Sequence, residues 1–360
     1  MRPLPLRACL VASMLLACAS KQATGPITDC EPRGNARPIC VFHNPEDLAA
    51  LPGGAAVLVS EYAGMQGEGS GELSILVLAS DAKRVLLASV DPASTPTPGW
   101  GDAACRPPSR GKLAPHGIDL APRPDGALAL AVVQHAERDS IELFEVTGSG
   151  AEWRLAWRGC VLPPADSWLN DVVILPDGSL VYSSMMPRSE GLVRMMRADA
   201  SPGHALHWSP GAGSQVIPNS SGALANGVAV SADGKTLFLN LTRDGEVRRI
   251  DLASGKVLGS AKVPGPDNTT WSPDGRRLLI ASIRSMGQGE FAICEKVPPG
   301  ACPIPFAIVA LDPVTLETRD LYVGDVPPGG LGTVGLRVGN ELFVGTASGD
   351  RVLRVGLAKD

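Results

Sequence analysis

The chain predicts an all-β fold: a six-bladed β-propeller whose four-stranded blades surround a central channel. Three observations carry this. One hairpin pattern recurs six times along 360 residues. Its turns lie about 57 residues apart on average, which suits a blade of four short strands with loops. No segment shows a competing helical periodicity, and 41 glycines with 32 prolines punctuate the chain with turns.

Each hairpin joins a short alternating apolar run to a Pro-Asp-Gly-like turn and then to a β-rich run. In order they are EDLAALPGGAAVLVS from Glu46, HGIDLAPRPDGALALAVV from His116 and NDVVILPDGSLVYSS from Asn170. NGVAVSADGKTLFLN follows from Asn226, DNTTWSPDGRRLLIAS from Asp267 and TVGLRVGNELFVGT from Thr333. Successive side chains of a strand face opposite sides, so the neighbours of any one residue point elsewhere.

The N-terminus reads as an export signal over residues 1–17: Arg2 and Arg7, then the apolar run Ala8 to Ala17. Leu15-Leu16-Ala17-Cys18 resembles a bacterial lipobox, which makes Cys18 a lipidated anchor. Simple cleavage after Ala17 or Ala19 is the other reading. Both place the mature chain outside the cytoplasm, periplasmic or at the cell surface. Residues 18–40 form a leader and 41–360 a single propeller domain, with a Pro-rich insertion at 92–113. No apolar run is long enough to span a membrane, so membrane contact is expected only through Cys18. A formal net charge of −5 argues against a nucleic-acid partner.

An exported chain permits disulfides. Beyond Cys9 and Cys18, six cysteines allow 15 pairings. Cys30 with Cys40 and Cys294 with Cys302 each close a short Pro/Gly-bearing loop and are preferred, leaving Cys105 with Cys160.

The repeat also places chemistry. In five hairpins the first turn residue lies six positions after Glu46, Asn170, Asn226, Asp267 or Thr333; in the sixth, His116 precedes it by eight. Innermost strands of a propeller run side by side, so equivalent positions form a ring at one mouth of the channel. Glu46, Asn170, Asn226, Asp267 and the adjacent Asn268 offer two carboxylates and three amide carbonyls, a donor set for a hard cation, Ca²⁺ before Mg²⁺. A single Asn or Asp at a strand end is ordinarily a cap, but four blades sharing one phase is not a turn preference. Asp47 and Asp171, with the carbonyl of Ile118, read as ligands of a second, deeper ion or as hydrogen-bond partners. His116 and His135 lie at the two ends of one up-and-back hairpin, so both imidazoles reach the same mouth, as a proton-abstracting pair or as polar rim residues. There is no G-x-S-x-G elbow, phosphate-binding glycine loop, H-E-x-x-H or EF-hand loop.

Together, PEDLAALPGG, PHGIDL, QHAERDSIELFEV, LNDVVILPDG, LANGVAVSADGK, PDNTTWSPDG and GTVGLRVGNELFVGT resemble the calcium-dependent paraoxonase/arylesterase family, within the wider group of gluconolactonase-like propellers. The resemblance implies a catalytic calcium on Glu46, Asn170, Asn226, Asp267 and Asn268. It implies a structural calcium on Asp47, Asp171 and the Ile118 carbonyl, and a catalytic pair in His116 and His135. Two features depart from the family: the final strand has no cysteine to tie it to the first, and Met185, Met186, Met195 and Met196 occupy the stretch that helps cover the site. The expected activity is hydrolysis of a lactone or carboxylic (aryl) ester, its metal-polarised carbonyl attacked by activated water. A sugar lactonase and a calcium-stabilised ligand-binding propeller are the alternatives. Natural substrate and oligomeric state stay open.

Overall fold

A computed structural model describes residues 25–64, 69–150, 152–195, 197, 199–285, 294, 300–324 and 326–358. The signal segment, Cys18 and Met196 lie outside the described residues. Six four-stranded antiparallel sheets form the blades of a propeller. Their innermost strands are Pro45–Ala50, Pro115–Pro122, Ser167–Ile174, Ala225–Val230, Pro266–Trp271 and Gly332–Val338, which number blades 1 to 6. Each packs beside the inner strands of both neighbouring blades, the first beside the sixth.

The segment read as a leader supplies a strand. Ala36–Ile39 pairs antiparallel with Val352–Gly356 and completes blade 6, so the ring closes by joining chain start to chain end. Four residues containing Arg37 and Pro38 carry no alternation signal, which is why this edge was not legible. Arg351, fully buried, binds the preceding segment to the same place: Nη1 donates to the Asp29 carbonyl at 2.6 Å and the Pro328 carbonyl at 3.0 Å, and Nη2 to the Ile27 carbonyl at 3.0 Å.

A buried apolar cluster fills each blade interface. Leu58 and Ile75 meet Leu130 and Phe144 between blades 1 and 2, and Val57 and Leu76 meet Val334 and Phe343 between blades 1 and 6. Burial of this kind stabilises by about 25 cal/mol per Å² of apolar surface. The three disulfides are Cys30–Cys40, Cys105–Cys160 and Cys294–Cys302. They fit a chain exported to an oxidising compartment. Among the described residues, no helix is long and apolar enough to cross a membrane. One short helical stretch, Arg188–Glu190 continuing into Gly191–Met195, interrupts the strands.

Every inner strand breaks its pairing with the second strand at the same level. The register shifts fall between Pro45 and Asp47, Pro115 and Ile118, Leu169 and Val172, Ala225 and Val228, Pro266 and Thr269, and Gly332 and Val334. A bulge releases residues from the ladder and re-aims their side chains. The released residues are Glu46, His116, Asn170, Asn226, Asp267, Asn268 and Thr333, with Gly117, Asp171 and Gly227. Gly117 and Gly227 are required by crowding: a Cβ would stand 2.5 Å from the Asn170 carbonyl oxygen and 2.3 Å from that of Asp267.

Side chains hydrogen-bond from blade to blade through the full circle. Asp47 accepts from Ile118 N at 2.7 Å, Asp119 from Ile174 N at 2.7 Å and Asp171 from Val228 N at 2.8 Å. Thr242 then donates to the Pro266 carbonyl at 2.7 Å, Thr270 to that of Gly335 at 2.6 Å and Thr333 to that of Glu46 at 2.7 Å.

Candidate metal centre and histidine pair

The bulges bring the predicted ring residues together at the start of the inner strands. Asn268 Nδ2 donates to Glu46 Oε1 at 2.8 Å, and the Asn226 side chain hydrogen-bonds the Asp267 carboxylate. Asn170 Nδ2 reaches Met185 Sδ at 3.5 Å. Asn240, on the second strand of blade 4, donates to the main-chain oxygen of Asp267 and to Thr269 Oγ1, holding the Asp267–Asn268 bulge from behind. Thr333 shares the phase but directs its hydroxyl at the Glu46 carbonyl.

What the ring lacks is positive charge. Burial pushes the Glu46 carboxyl up to about 8, against the opposing pull of the Asn268 hydrogen bond. Asp47 and Asp267 are raised well above the ordinary carboxylate range by burial and then by the nearby Glu46; Asp171 is raised by burial and then by Asp47. Among the described residues, no lysine or arginine forms an ion pair with any of the four. Buried carboxylates without a counter-charge are expensive.

Four oxygens of the ring residues are also buried without a hydrogen-bond donor: Glu46 Oε2, Asn170 Oδ1, Asn226 Oδ1 and Asn268 Oδ1. Native interiors rarely leave such acceptors unmatched. A divalent cation with oxygen-only ligands would satisfy both deficits, and the donor set fits calcium. At Asp47 and Asp171 each carboxylate oxygen already accepts a backbone N–H, from Leu48, Ile118, Val172 and Val228. Ile118 meets Asp47 through its N–H.

Cys105, Glu142 and Cys160 also gather ligand-type atoms. The two sulfurs form a disulfide and are not thiolates, and Glu142 accepts from Ser140 and Trp157, so this cluster is structural.

Beside the oxygen ring stands the histidine pair. His116 Nδ1 and His135 Nε2 are 2.9 Å apart, and His116 Nε2 is 3.6 Å from Glu46 Oε1. Burial pushes His116 down to about 3 and His135 down to about 4, so both rings are neutral near pH 7. Tyr62 packs against the His116 ring with centroids 4.6 Å apart, and Ser60 Oγ donates to the His116 carbonyl at 2.6 Å. Two partners were not found from sequence: His135 Nδ1 meets Asp139 Oδ1 at 2.5 Å, and Arg188 Nη1 meets Asp139 Oδ2 at 2.5 Å. Asp139 follows His135 by four residues in a loop with no motif, and Arg188 comes from another blade.

Met185, Met186 and Met195 pack with Trp168 and Leu224 as a small core beneath the helical stretch, next to Asn170. A cavity of about 350 Å³ opens at the other end of the inner strands, lined by Ala121, Arg123, Ile174, Pro176, Val230 and Ala232. Its lining carries no carboxylate, carboxamide or imidazole, so the reactive groups belong to the ring end.

No protein-family model and no curated protein matches the chain. Solved structures do. A gluconolactonase of Xanthomonas campestris superposes with TM-score 0.53 at 15% identity, covering 90% of this chain and 89% of that one. Regucalcin of Agrobacterium tumefaciens, described as a calcium-binding protein, gives 0.50 at 16% identity, covering 92% and 93%. A luciferin-regenerating enzyme gives 0.53 at 16% identity, covering 88% and 93%. The chain has the fold of the gluconolactonase- and regucalcin-like six-bladed propellers. At such identity the likeness is one of fold, and the chemistry rests on the residues just described.

Proposed function

We propose that the chain is a calcium-dependent hydrolase of lactones or carboxylic (aryl) esters. The observation that carries this reading is the set of four donor-less buried oxygens, on Glu46, Asn170, Asn226 and Asn268, beside a neutral histidine pair. Asp267 completes the set with the second carboxylate. Calcium, when bound, would polarise the substrate carbonyl and stabilise the charge that develops on its oxygen.

The remaining work falls to this chain's own groups. Asn268 holds one Glu46 oxygen and so orients the carboxylate toward the ring. His116 Nε2 takes a proton from water as the hydroxyl bonds to the carbonyl carbon; the ester C–O bond then breaks, and the leaving oxygen takes that proton back. His135 supports His116 through Nδ1. Trp168 and the methionine cluster keep the blade 3 side dry and apolar. Asp47, Asp171 and Ile118 are proposed as the surroundings of a second, structural ion, and Cys18 as a lipid anchor.

One observation favours a sugar lactonase as the second reading: the Xanthomonas propeller of the same fold is a gluconolactonase. The buried Met/Trp wall beside Asn170 favours apolar esters and lactones. A chromogenic aryl acetate, an aliphatic lactone and a sugar lactone, each assayed with and without chelator, separate the readings. Chelator-sensitive turnover of the first two is expected. Turnover of the sugar lactone alone supports the second reading. Inert substrates combined with a calcium-raised melting temperature would leave a binding propeller.

A further inference from the structure

We propose that Asp139 and Arg188 are positioning residues that fix the tautomers of both histidines, leaving His116 Nε2 as a bare acceptor facing the metal ring. The inference rests on the hydrolase reading for its purpose but not for its geometry.

Donors and acceptors fix both rings. A carboxylate only accepts, so the 2.5 Å contact between Asp139 Oδ1 and His135 Nδ1 puts the His135 proton on Nδ1. In a neutral ring Nε2 of His135 then carries a lone pair. His116 Nδ1, 2.9 Å away, must therefore be the donor. That leaves His116 Nε2 without a proton, 3.6 Å from Glu46 Oε1.

Without Asp139 the chain of donors reverses. His135 Nε2–H would donate to His116 Nδ1, and His116 Nε2–H would point at the Glu46 carboxylate, a favourable contact that removes the base. Asp139 thus decides between two otherwise comparable networks.

The carboxylate is itself held on both sides. Arg188 Nη1 donates to Oδ2 at 2.5 Å from the start of the helical stretch over the methionine cluster, where its guanidinium also lies over Trp168. The loop behind Asp139 is braced by the 92–113 insertion: Glu137 accepts from Ser109 N at 3.0 Å, and Arg138 donates to the Arg106 carbonyl at 2.5 Å. The Asp139 side chain is only 5% exposed and that of His135 fully buried, so this is not a surface ion pair. His135 of blade 2 and Arg188 of blade 3 hold the carboxylate directly, and the insertion braces the loop that carries it.

The test is nitrogen NMR of histidine-labelled protein, which reports each imidazole tautomer independently of turnover. In the unsubstituted protein His116 should show the Nδ1–H form. Asp139→Leu should convert it to the Nε2–H form, and Arg188→Met should produce a mixture that Arg188→Lys reverses. In aliphatic lactone assays, where the leaving group is poor, Asp139→Leu should lower kcat by roughly 10²-fold, with KM and calcium affinity unchanged. An unchanged His116 tautomer in folded Asp139→Leu would overturn the proposal; if that variant does not fold, an unchanged tautomer in Arg188→Met does so. A tautomer switch in a protein without any esterase activity would sustain the positioning role and reject the hydrolase reading.

Discussion

Asn268 Nδ2 donates to Glu46 Oε1 at 2.8 Å across 222 residues of chain, and the other oxygen of that carboxylate has no partner. Blade 5 thereby holds a blade 1 carboxylate with one face committed and one face open. The same half-satisfied state holds for Asn170, Asn226 and Asn268, whose amide oxygens are buried and unmatched. Each was released from its strand ladder by a bulge at one common level.

Calcium should therefore raise the melting temperature, and chelation should lower it. Saturation at 100 times the dissociation constant stabilises by about 2.7 kcal/mol. Asp267→Ala should weaken the calcium response and abolish all ester turnover. Because it removes a buried, repelled carboxylate, its chelated form should melt no lower than the chelated unsubstituted protein. Differential scanning calorimetry with and without calcium measures both effects.

His116→Gln should cost roughly 10² to 10⁴ in kcat/KM for esters with poor leaving groups, the usual worth of a positioned base. Activated aryl esters, which need less help with the proton, should lose far less. Calcium affinity should not move. Steady-state kinetics over a series of leaving groups checks the slope.

How much of this was legible in the sequence differs by element. The six inner hairpins were, because a Pro-Asp-Gly turn between alternating runs is a local signal with a local cause. The shared phase of the ring positions was too, because they stand six residues before the turn in five blades and eight before it in blade 2. Ala36–Ile39 was hidden, since its pairing depends on a strand some 300 residues away and its own four residues show no pattern. Asp139 and Arg188 were hidden for the same reason: their roles exist only where two blades and an insertion meet. The hydrogen bond from Ile118 N–H to Asp47 is a main-chain contact that no side-chain pattern encodes.

Closure without a terminal disulfide rests on strand pairing and on the interblade hydrogen bonds. Thr333→Val should leave the Glu46 carbonyl without its donor and cost about 1–3 kcal/mol. Arg351→Met should cost about 3 kcal/mol or more, since the buried carbonyls of residues 27 and 328 and the half-buried one of residue 29 lose a charged donor. Urea denaturation of both variants gives the ranking.

Cys105–Cys160 joins positions 55 residues apart and fastens the insertion against blade 2. Replacing both cysteines with alanine should destabilise by roughly 2–4 kcal/mol. Because Arg138 donates to the Arg106 carbonyl, loosening should spread to the loop that carries Asp139. Hydrogen exchange should rise over residues 105–112 and 135–139 before it rises in the outer strands of blades 4 and 5.

The most direct test is a crystal grown with calcium and measured for anomalous scattering. A peak enclosed by Glu46 Oε2, Asp267 and the amide oxygens of Asn170, Asn226 and Asn268, each about 2.3–2.6 Å away, is the predicted result. A ring free of anomalous density at saturating calcium, or an ion bound only elsewhere, would contradict it.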